Sequence, residues 1–222
     1  MNQMSLLIIE LILCLTMLIT LYKKYQNIGI YTYCVIVIIL SSIMTQKVIT
    51  LYDFDVNLGI IPMVSIFAAS NILIQKNGQE DAKTLLLITI GSSLVGYILL
   101  YLTSFASSSN INLFMSASYD NIFRDSLRLY FAAFVAMLYS LLLNIKLYYY
   151  LKKIKNNILV SNLFSTIIIH FISAIIFGLI AYIFTKEPIE IAKIITMRYL
   201  VSLFVGIVST IVIYISKFIK IK

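Results

Sequence analysis

The hydrophobic pattern of this chain consists of long, continuous apolar runs separated by short polar segments. Seven of the runs are about 20 residues long, the length that a helix needs to cross a hydrocarbon core roughly 30 Å thick. The predicted spans are Leu6 to Tyr22, Gly29 to Leu51, Leu58 to Gln75, Thr84 to Ala106, Leu127 to Tyr149, Ile158 to Phe184 and Ile191 to Ser216. Because apolar and polar positions do not alternate within them, the runs predict helices and exclude a transmembrane barrel.

The composition supports a membrane location. Of the 222 residues, 61% are hydrophobic and 12% are charged, and the mean hydropathy is +1.00. Such a chain has too little polar surface to cover a soluble globule. The sequence therefore predicts an all-α integral membrane protein, a bundle of about seven transmembrane helices. We expect one polytopic domain over residues 1–222, in which an N-terminal helix (1–28) precedes a six-helix core (29–222).

The distribution of basic residues predicts the orientation in the membrane. If the odd-numbered spans run inward, eleven of the 17 basic residues lie in the cytoplasm: Lys23, Lys24, Lys76, Lys83, Lys146, Lys152, Lys153, Lys155, Lys217, Lys220 and Lys222. The other six lie outside: Lys47, Arg124, Arg128, Lys186, Lys193 and Arg198. The N-terminus is then outside and the C-terminus cytoplasmic. The net charge of +8 indicates lipid headgroups rather than nucleic acid as the partner, because the basic residues flank apolar helices instead of forming one basic face.

Catalytic and metal-binding patterns are missing from the sequence. Cys14 and Cys34 lie inside predicted spans without metal-ligand spacing, so we expect them to be small hydrophobic residues. With one histidine and no H-E-x-x-H, paired Asp or G-x-S-x-G motif, the chain offers no catalytic constellation. We expect neither an enzyme nor a bound metal or cofactor. The longest connection, Ser107 to Ser126, is rich in Ser and Asn and is either a solvated connection or a lid.

Polar residues inside four predicted spans recur at helical spacing. With the small residues that continue the same stripes, they are Ser70, Asn71 and Gln75 in the third span, Ala136, Ser140 and Asn144 in the fifth, Asn162, Thr166, His170 and Ser173 in the sixth, and Arg198, Ser202, Gly206 and Ser209 in the seventh. At 100° per residue, those of the sixth span keep within an arc of about 80°. Polar faces of this kind either pack helices together or line a cavity, and for these residues both alternatives stay open.

The same positions follow the order of motifs in a known family. They are Ser41, Ser42 and Lys47, then Ser70, Asn71, Gln75, Asn77 and Gly78, then Arg128, Ala136, Ser140 and Asn144 ahead of Leu147 to Lys155, then Ser165, Thr166, His170 and Ser173, and finally Tyr199, Ser202, Ser209 and Thr210. Over roughly Ile38 to Ser216 the chain resembles the VUT family of bacterial inner-membrane proteins, proposed transporters of queuosine precursors. Where that family has Asp, this chain has Asn71, Asn144, Ser173 and Ser209, and Gln75 and Ser202 replace a Glu and a Lys.

The resemblance implies uptake of a 7-deazaguanine, preQ0 or preQ1, across the cell inner membrane. A flat base needs hydrogen bonds to its edge and aromatic rings against its face. The candidate substrate-binding residues are Asn71, Gln75, Asn144, His170, Ser173, Arg128 and Ser140, with Phe67, Tyr139 or Phe177 for stacking. An amide keeps the shape of a carboxylate but loses its charge, so a site that has lost its acids binds a cationic solute differently.

The sequence leaves the source of energy open. His170 is a candidate proton relay, because no acidic residue remains within the second to seventh spans. The alternatives are a facilitator, or the substrate-binding subunit of a larger transporter whose ATPase is a separate chain, since no phosphate-binding loop is present here. A degenerate membrane subunit that does not transport, and a homo-oligomer, are further alternatives.

Overall fold

The computed structural model describes residues 3–52, 54–107, 113–124, 126–155 and 157–219. Its elements are α1 (Gln3–Met44), β1 (Val48–Leu51), β2 (Phe54–Asn57), α2 (Ile60–Lys76), α3 (Gln79–Thr103), α4 (Leu113–Phe123), α5 (Leu127–Lys155), α6 (Ile158–Tyr182) and α7 (Pro188–Ser216). Five of these helices, α1, α3, α5, α6 and α7, are long and apolar enough to cross a membrane, and α2 is a shorter apolar helix. The predicted all-α membrane bundle is confirmed.

Helix α1 contains the first predicted span and most of the second, because the chain folds back within it. A straight helix of 42 residues would be about 63 Å long, twice the thickness of a bilayer core. The backbone leaves the helical region at Gln26 (φ 54°, ψ −133°). Soon after, Gly29 approaches so closely that a Cβ there would lie 2.2 Å from the Leu21 carbonyl oxygen. Residues eight apart in a straight helix are separated by about 12 Å, so the two halves of α1 form a hairpin that requires glycine at position 29.

A short β-hairpin follows α1 where the sequence predicted continued helix. The helix ends at Met44, and β1 pairs with β2 in antiparallel register, with Val48 opposite Asn57. The prediction that the second span extends to Leu51 is wrong, because Val48, Ile49 and Thr50 are β-branched and form a strand that buries Leu51. The hairpin packs against α7, and we call this end of the bundle the hairpin end.

Lysine side chains tie helices together at the opposite end of the bundle. Lys152 Nζ of α5 donates to the carbonyl oxygens of Ile74 and Gln75, both at 2.9 Å. Lys76 Nζ, at the end of α2, donates to the carbonyl oxygens of Lys217 at 3.0 Å and Ile219 at 2.9 Å. The last carbonyl groups of a helix lack partners within it and carry partial negative charge, so Lys152 satisfies the C-terminal turn of α2, and Lys76 holds the segment that follows α7. We call this the lysine end; that it faces the cytoplasm stays a prediction.

Helix α2 lies at the centre of the bundle. All of its residues from Ile60 to Ile74 are buried, and it packs against α1, α3, α5 and α7. The surrounding helices expose large apolar side chains instead, such as Leu87 on α3 and Ile211 on α7, which are 72% and 61% exposed. Apolar side chains on the outside suit contact with lipid. Other helices therefore surround the polar residues of α2 on all sides.

The connection predicted as a solvated segment or a lid contains helix α4 among its described residues. The end of α4 is anchored, because Phe123 is buried and its carbonyl oxygen accepts a hydrogen bond of 2.9 Å from the Tyr97 hydroxyl. The Tyr97 ring stacks on that of Tyr130, with centroids 3.5 Å apart. Near the start of α4, Phe114 is 81% exposed. An anchored helix with an exposed aromatic ring is typical of a segment that lies along a membrane surface.

Candidate functional site

A chain of polar side chains crosses the centre of the bundle. Asn144 Nδ2 of α5 donates to Asn71 Oδ1 of α2, and Asn71 Nδ2 donates to Asn162 Oδ1 of α6, each at 2.8 Å. Asn162 Nδ2 then donates to Thr210 Oγ1 of α7 at 2.7 Å. All four residues are buried. We call them the amide chain; it joins four helices at one level of the bundle.

Close packing of α6 against α7 brings this level together. Asn162, Thr166 and His170 follow one another at four-residue spacing and so share one face of α6. They face Gly206 of α7, where a Cβ would lie 2.5 Å from Thr166 Cγ2 and 3.1 Å from His170 Nε2. Glycine therefore suits this crossing, since a side chain here would force Thr166 or the two helices to shift.

His170 lies beside the amide chain, toward the hairpin end. Its ring meets the Phe67 ring edge to face, with centroids 5.0 Å apart and an interplanar angle of 72°. The side chain is 2% exposed, and Nδ1 has no hydrogen-bond partner among the described residues. A buried ring nitrogen without a partner is costly, so this imidazole is available to a ligand.

A small void is enclosed by these side chains. It is lined by Val64, Phe67, Ala68, Asn71, Asn144, Asn162, Thr166, His170, Gly206 and Ser209. Its volume of about 10 Å³ is enough for about one water molecule. We call it the central void. The described conformation is thus closed around the polar centre.

Two buried serines extend the polar region toward the hairpin end. The hydroxyls of Ser140 on α5 and Ser173 on α6 have no hydrogen-bond partner among the described residues. Ala136 and Phe177 belong to one packed cluster between these helices. Each serine lies one helical turn from a member of that cluster, in the direction of the amide chain. The arrangement can offer further hydrogen bonds to a solute that enters from this side.

Comparison with known proteins assigns the chain to a family. A family profile described as "Putative vitamin uptake transporter" matches residues 57–216, well over half of the chain. The protein belongs to this family. The match spans α2 to α7 and includes the whole amide chain, although it begins later than the predicted start at Ile38. No curated protein and no solved structure matches the chain.

Membership confirms the general class that the sequence predicted. The protein is a multi-pass membrane transporter and not an enzyme. Its ligand is thus a small-molecule solute that crosses the bilayer. Among the described residues, no group of three or more His, Cys, Asp and Glu side chains is placed to hold a metal ion.

The transporter does not bring every candidate residue to the central void. Gln75 lies at the lysine end, where with Lys76, Lys152, Ile158 and Lys217 it lines a separate cavity of about 290 Å³. Arg128 is exposed in the first turn of α5, and its Nη2 donates to Thr185 Oγ1 at 3.2 Å. Tyr139 is 55% exposed and faces away from the amide chain. Their spacing along the sequence matches that of the residues at the central void. They do not reach the void, because they lie near a helix end or on the face of the helix that points out of the bundle.

The transporter also contains two polar residues that the candidate set omitted. Asn162 is the central link between Asn71 and Thr210, and its place on the polar face of the sixth span was the available signal. Arg198 was counted among the residues outside the membrane, yet it is 5% exposed within α7. The signal for Arg198 was its position several residues inside an apolar run rather than at its edge.

Proposed function

We propose that the protein carries a flat, polar heterocycle across the membrane, namely a 7-deazaguanine such as preQ0 or preQ1. The observation that carries this proposal is the convergence of Asn71, Asn144, Asn162, His170 and Phe67, from three different helices, on one central void. Amides match the donor and acceptor edge of such a base, and an aromatic ring packs against its face. Family membership supports a vitamin-like solute.

Entry of the solute requires the helices around the central void to separate. Sites for small molecules commonly measure roughly 300–1,000 Å³, whereas the void is about 10 Å³. Separation breaks the hydrogen bonds between Asn144, Asn71 and Asn162. A base with complementary edges replaces those bonds, so the amides are satisfied both in the closed state and when loaded. This exchange keeps the free-energy difference between the closed state and the loaded state small. A carrier with alternating access to a site near the membrane midplane requires such a small difference.

An uptake experiment tests this function directly. Labelled preQ0 is supplied to cells that cannot make queuosine precursors and that express either the wild-type chain or the Asn71→Leu and Asn144→Leu double variant. We expect the wild type to accumulate label and the double variant to lose at least about nine tenths of the uptake, the effect of removing two hydrogen bonds from a recognition site. Asn121→Leu is the matched control, because Asn121 is exposed on α4. Wild-type uptake by a double variant present at equal membrane abundance would refute the proposal.

The absence of acid near the amide chain bears on energy coupling. In the described parts of α2 to α7, acidic residues occur only in the first turns of α3 and α7 and on α4. Carriers driven by ions usually keep an acidic residue within the membrane. Glu10 is an acid within a membrane-spanning helix, but it lies on α1, and none of the described residues that line the central void belongs to α1. The lack of an acid at the void favours a substrate-binding subunit that works with an ATP-hydrolysing partner, or a facilitator, over a carrier that couples a proton at this site.

Two measurements separate these forms of transport. A subunit should co-purify with an ATPase from its native membrane, and its uptake should persist when a protonophore collapses the proton gradient at constant ATP. A facilitator should equilibrate solute without accumulating it. Uptake that stops with the protonophore would instead indicate proton coupling, for which His170, the one histidine of the chain, is a candidate relay. A chain with no solute-dependent phenotype at all would be a subunit that does not transport.

A further inference from the structure

Arg198 is a buried cation beside the polar centre. It lies on α7, toward the hairpin end, and is 5% exposed. The guanidinium carbon is 3.8 Å from the centroid of the Phe177 ring, and Nη2 donates to Met63 Sδ at 3.6 Å. Over the described ranges, the ion pairs found are Lys83 with Glu80 and Lys186 with Glu190, so no described carboxylate neutralises Arg198.

The described contacts of Arg198 are weak for a charged donor. A guanidinium has five N–H donors and a permanent positive charge. A thioether sulfur is a weak acceptor, and an aromatic face attracts the charge without accepting hydrogen bonds in the way an oxygen does. An ionised side chain inside a membrane bundle is costly and usually marks a functional site. The closed conformation therefore gives this strong donor a weak acceptor, the Met63 sulfur.

Further unsatisfied groups lie between Arg198 and the amide chain. On α6, Phe177 lies against Arg198 and Ser173 is one turn nearer the amide chain. His170 follows one turn beyond Ser173. The Ser173 hydroxyl and His170 Nδ1 are buried without hydrogen-bond partners among the described residues, as is the Ser140 hydroxyl on α5. From the hairpin end inward, the bundle thus presents a guanidinium, two hydroxyls and an imidazole before the first amide.

We propose that the region from Arg198 to His170 is the acceptor-binding end of the solute site, and that it selects against positively charged solutes. The inference rests on the proposed function and names its substrate class: a neutral or anionic heterocycle with an exposed carbonyl oxygen, nitrile nitrogen or carboxylate. Such a group replaces the Met63 sulfur as the partner of Arg198 and accepts from the serine hydroxyls. Hydrogen bonds from an ionised donor are shorter and stronger than neutral ones.

The same geometry rejects an ammonium group. A solute amine that enters this region loses its water and meets a like charge at short distance, and no described carboxylate forms an ion pair with Arg198 that would offset the repulsion. The amides at Asn71 and Asn144 supply hydrogen bonds but no negative charge. Both ends of the site therefore disfavour a positively charged solute.

Two deazaguanines that differ in one substituent test the inference. The probes are 7-cyano-7-deazaguanine, which is neutral with a nitrile acceptor, and 7-aminomethyl-7-deazaguanine, whose primary amine is protonated at neutral pH. Equilibrium binding to the purified full-length protein in nanodiscs is measured for both. We expect the wild type to prefer the cyano compound by at least about tenfold, since one charge-assisted hydrogen bond is worth about that factor or more.

Three variants connect the preference to Arg198. Arg198→Met should weaken binding of the cyano compound and reduce the preference below about threefold, whereas Arg198→Lys should retain a preference because it retains the charge. Lys193→Met removes a charge from an exposed position of the same helix and should change neither affinity. If Arg198→Met does not fold, Ser173→Asp tests the same point, because a carboxylate near the guanidinium should shift preference toward the amine.

Each outcome of this experiment decides a specific question. A wild type that binds both probes equally, or prefers the amine, overturns the charge selection and leaves the proposed function standing. A wild type that binds neither probe overturns both. A preference for the cyano compound that survives in Arg198→Met with a normal melting temperature overturns the role of Arg198.

Discussion

Replacing Asn71 by leucine should destabilise the bundle more than the same replacement of Asn144, its neighbour in the amide chain. Asn71 makes two interhelical hydrogen bonds, one as acceptor from Asn144 and one as donor to Asn162, both at 2.8 Å. Asn144 lies at the end of the chain and makes only the first. Leucine has the same number of side-chain heavy atoms as asparagine and a high helix propensity, and because both variants carry it, the comparison between them isolates the number of hydrogen bonds lost.

The expected costs follow from the number of partners left unsatisfied. Interhelical hydrogen bonds in membranes contribute about 0.6 kcal/mol on average and up to about 1.7, and a buried partner left alone adds to that cost. We therefore expect Asn71→Leu to lower the free energy of unfolding by about 2–3 kcal/mol and Asn144→Leu by about 1 kcal/mol. The double variant should cost little more than Asn71→Leu alone, because both changes remove the same bond.

Reversible unfolding in mixed micelles or bilayers measures these differences without a ligand. Asn121→Leu, an exposed change on α4, serves as the control and should stay within about 0.5 kcal/mol. Equal costs for Asn71→Leu and Asn144→Leu would refute this reasoning, since they would show that Asn162 does not depend on Asn71. Full additivity of the two changes would refute it as well, because the shared hydrogen bond requires coupling.

Three further predictions follow from the packing and the ends of the helices. Gly206→Ala should lower the free energy of unfolding by about 1–3 kcal/mol, and Thr166→Ser should restore part of the loss by removing the methyl group that a Cβ would meet at 2.5 Å; denaturation of the single and double variants checks this. Lys152→Met should loosen the C-terminal turn of α2 and raise its hydrogen exchange, while Lys193→Met should not. A label at the N-terminus should react in intact cells and one at the C-terminus only after permeabilisation; the reverse pattern would overturn the predicted orientation.

The sequence predicted the bundle well, because continuous apolar runs have few alternatives in a membrane. The turn within α1 was also predictable, since the polar residues around Gln26 separate two such runs. The β-hairpin of β1 and β2 was not predictable in this way. Val48 to Leu51 is a short apolar run, and such runs do not distinguish strand from helix by periodicity alone. The strand forms because Asn57 and Val56 pair with it.

The amide chain shows where sequence reasoning stops. Helical spacing put Asn71, Asn144 and Asn162 on polar faces of three helices, but it did not show which residues meet. Asn71 is 73 residues from Asn144 and 91 from Asn162, and only the assembly of the bundle around the central helix α2 brings them into contact. Helical spacing also placed Gln75 beside Asn71. Gln75 is, however, the second-last residue of α2, which ends at Lys76, so it lies at the end of the bundle and not at its centre. Partner choice and depth in the bundle are properties of the assembled helices.

The polar groups of this interior divide by whether the closed state satisfies them. The amide chain is bonded from end to end, so its residues stabilise the protein without a solute and exchange partners when one enters. Arg198, by contrast, is a buried charge with weak contacts in the closed state, and replacing such a charge by an apolar side chain of similar size is often neutral or stabilising. Asn71→Leu should therefore lower the melting temperature of the empty protein, whereas Arg198→Met should leave it unchanged or raise it while weakening the response to solute. Opposite signs in one melting experiment would separate groups that hold the bundle together from groups that bind the solute, and a large loss of stability in Arg198→Met would instead make Arg198 a structural residue.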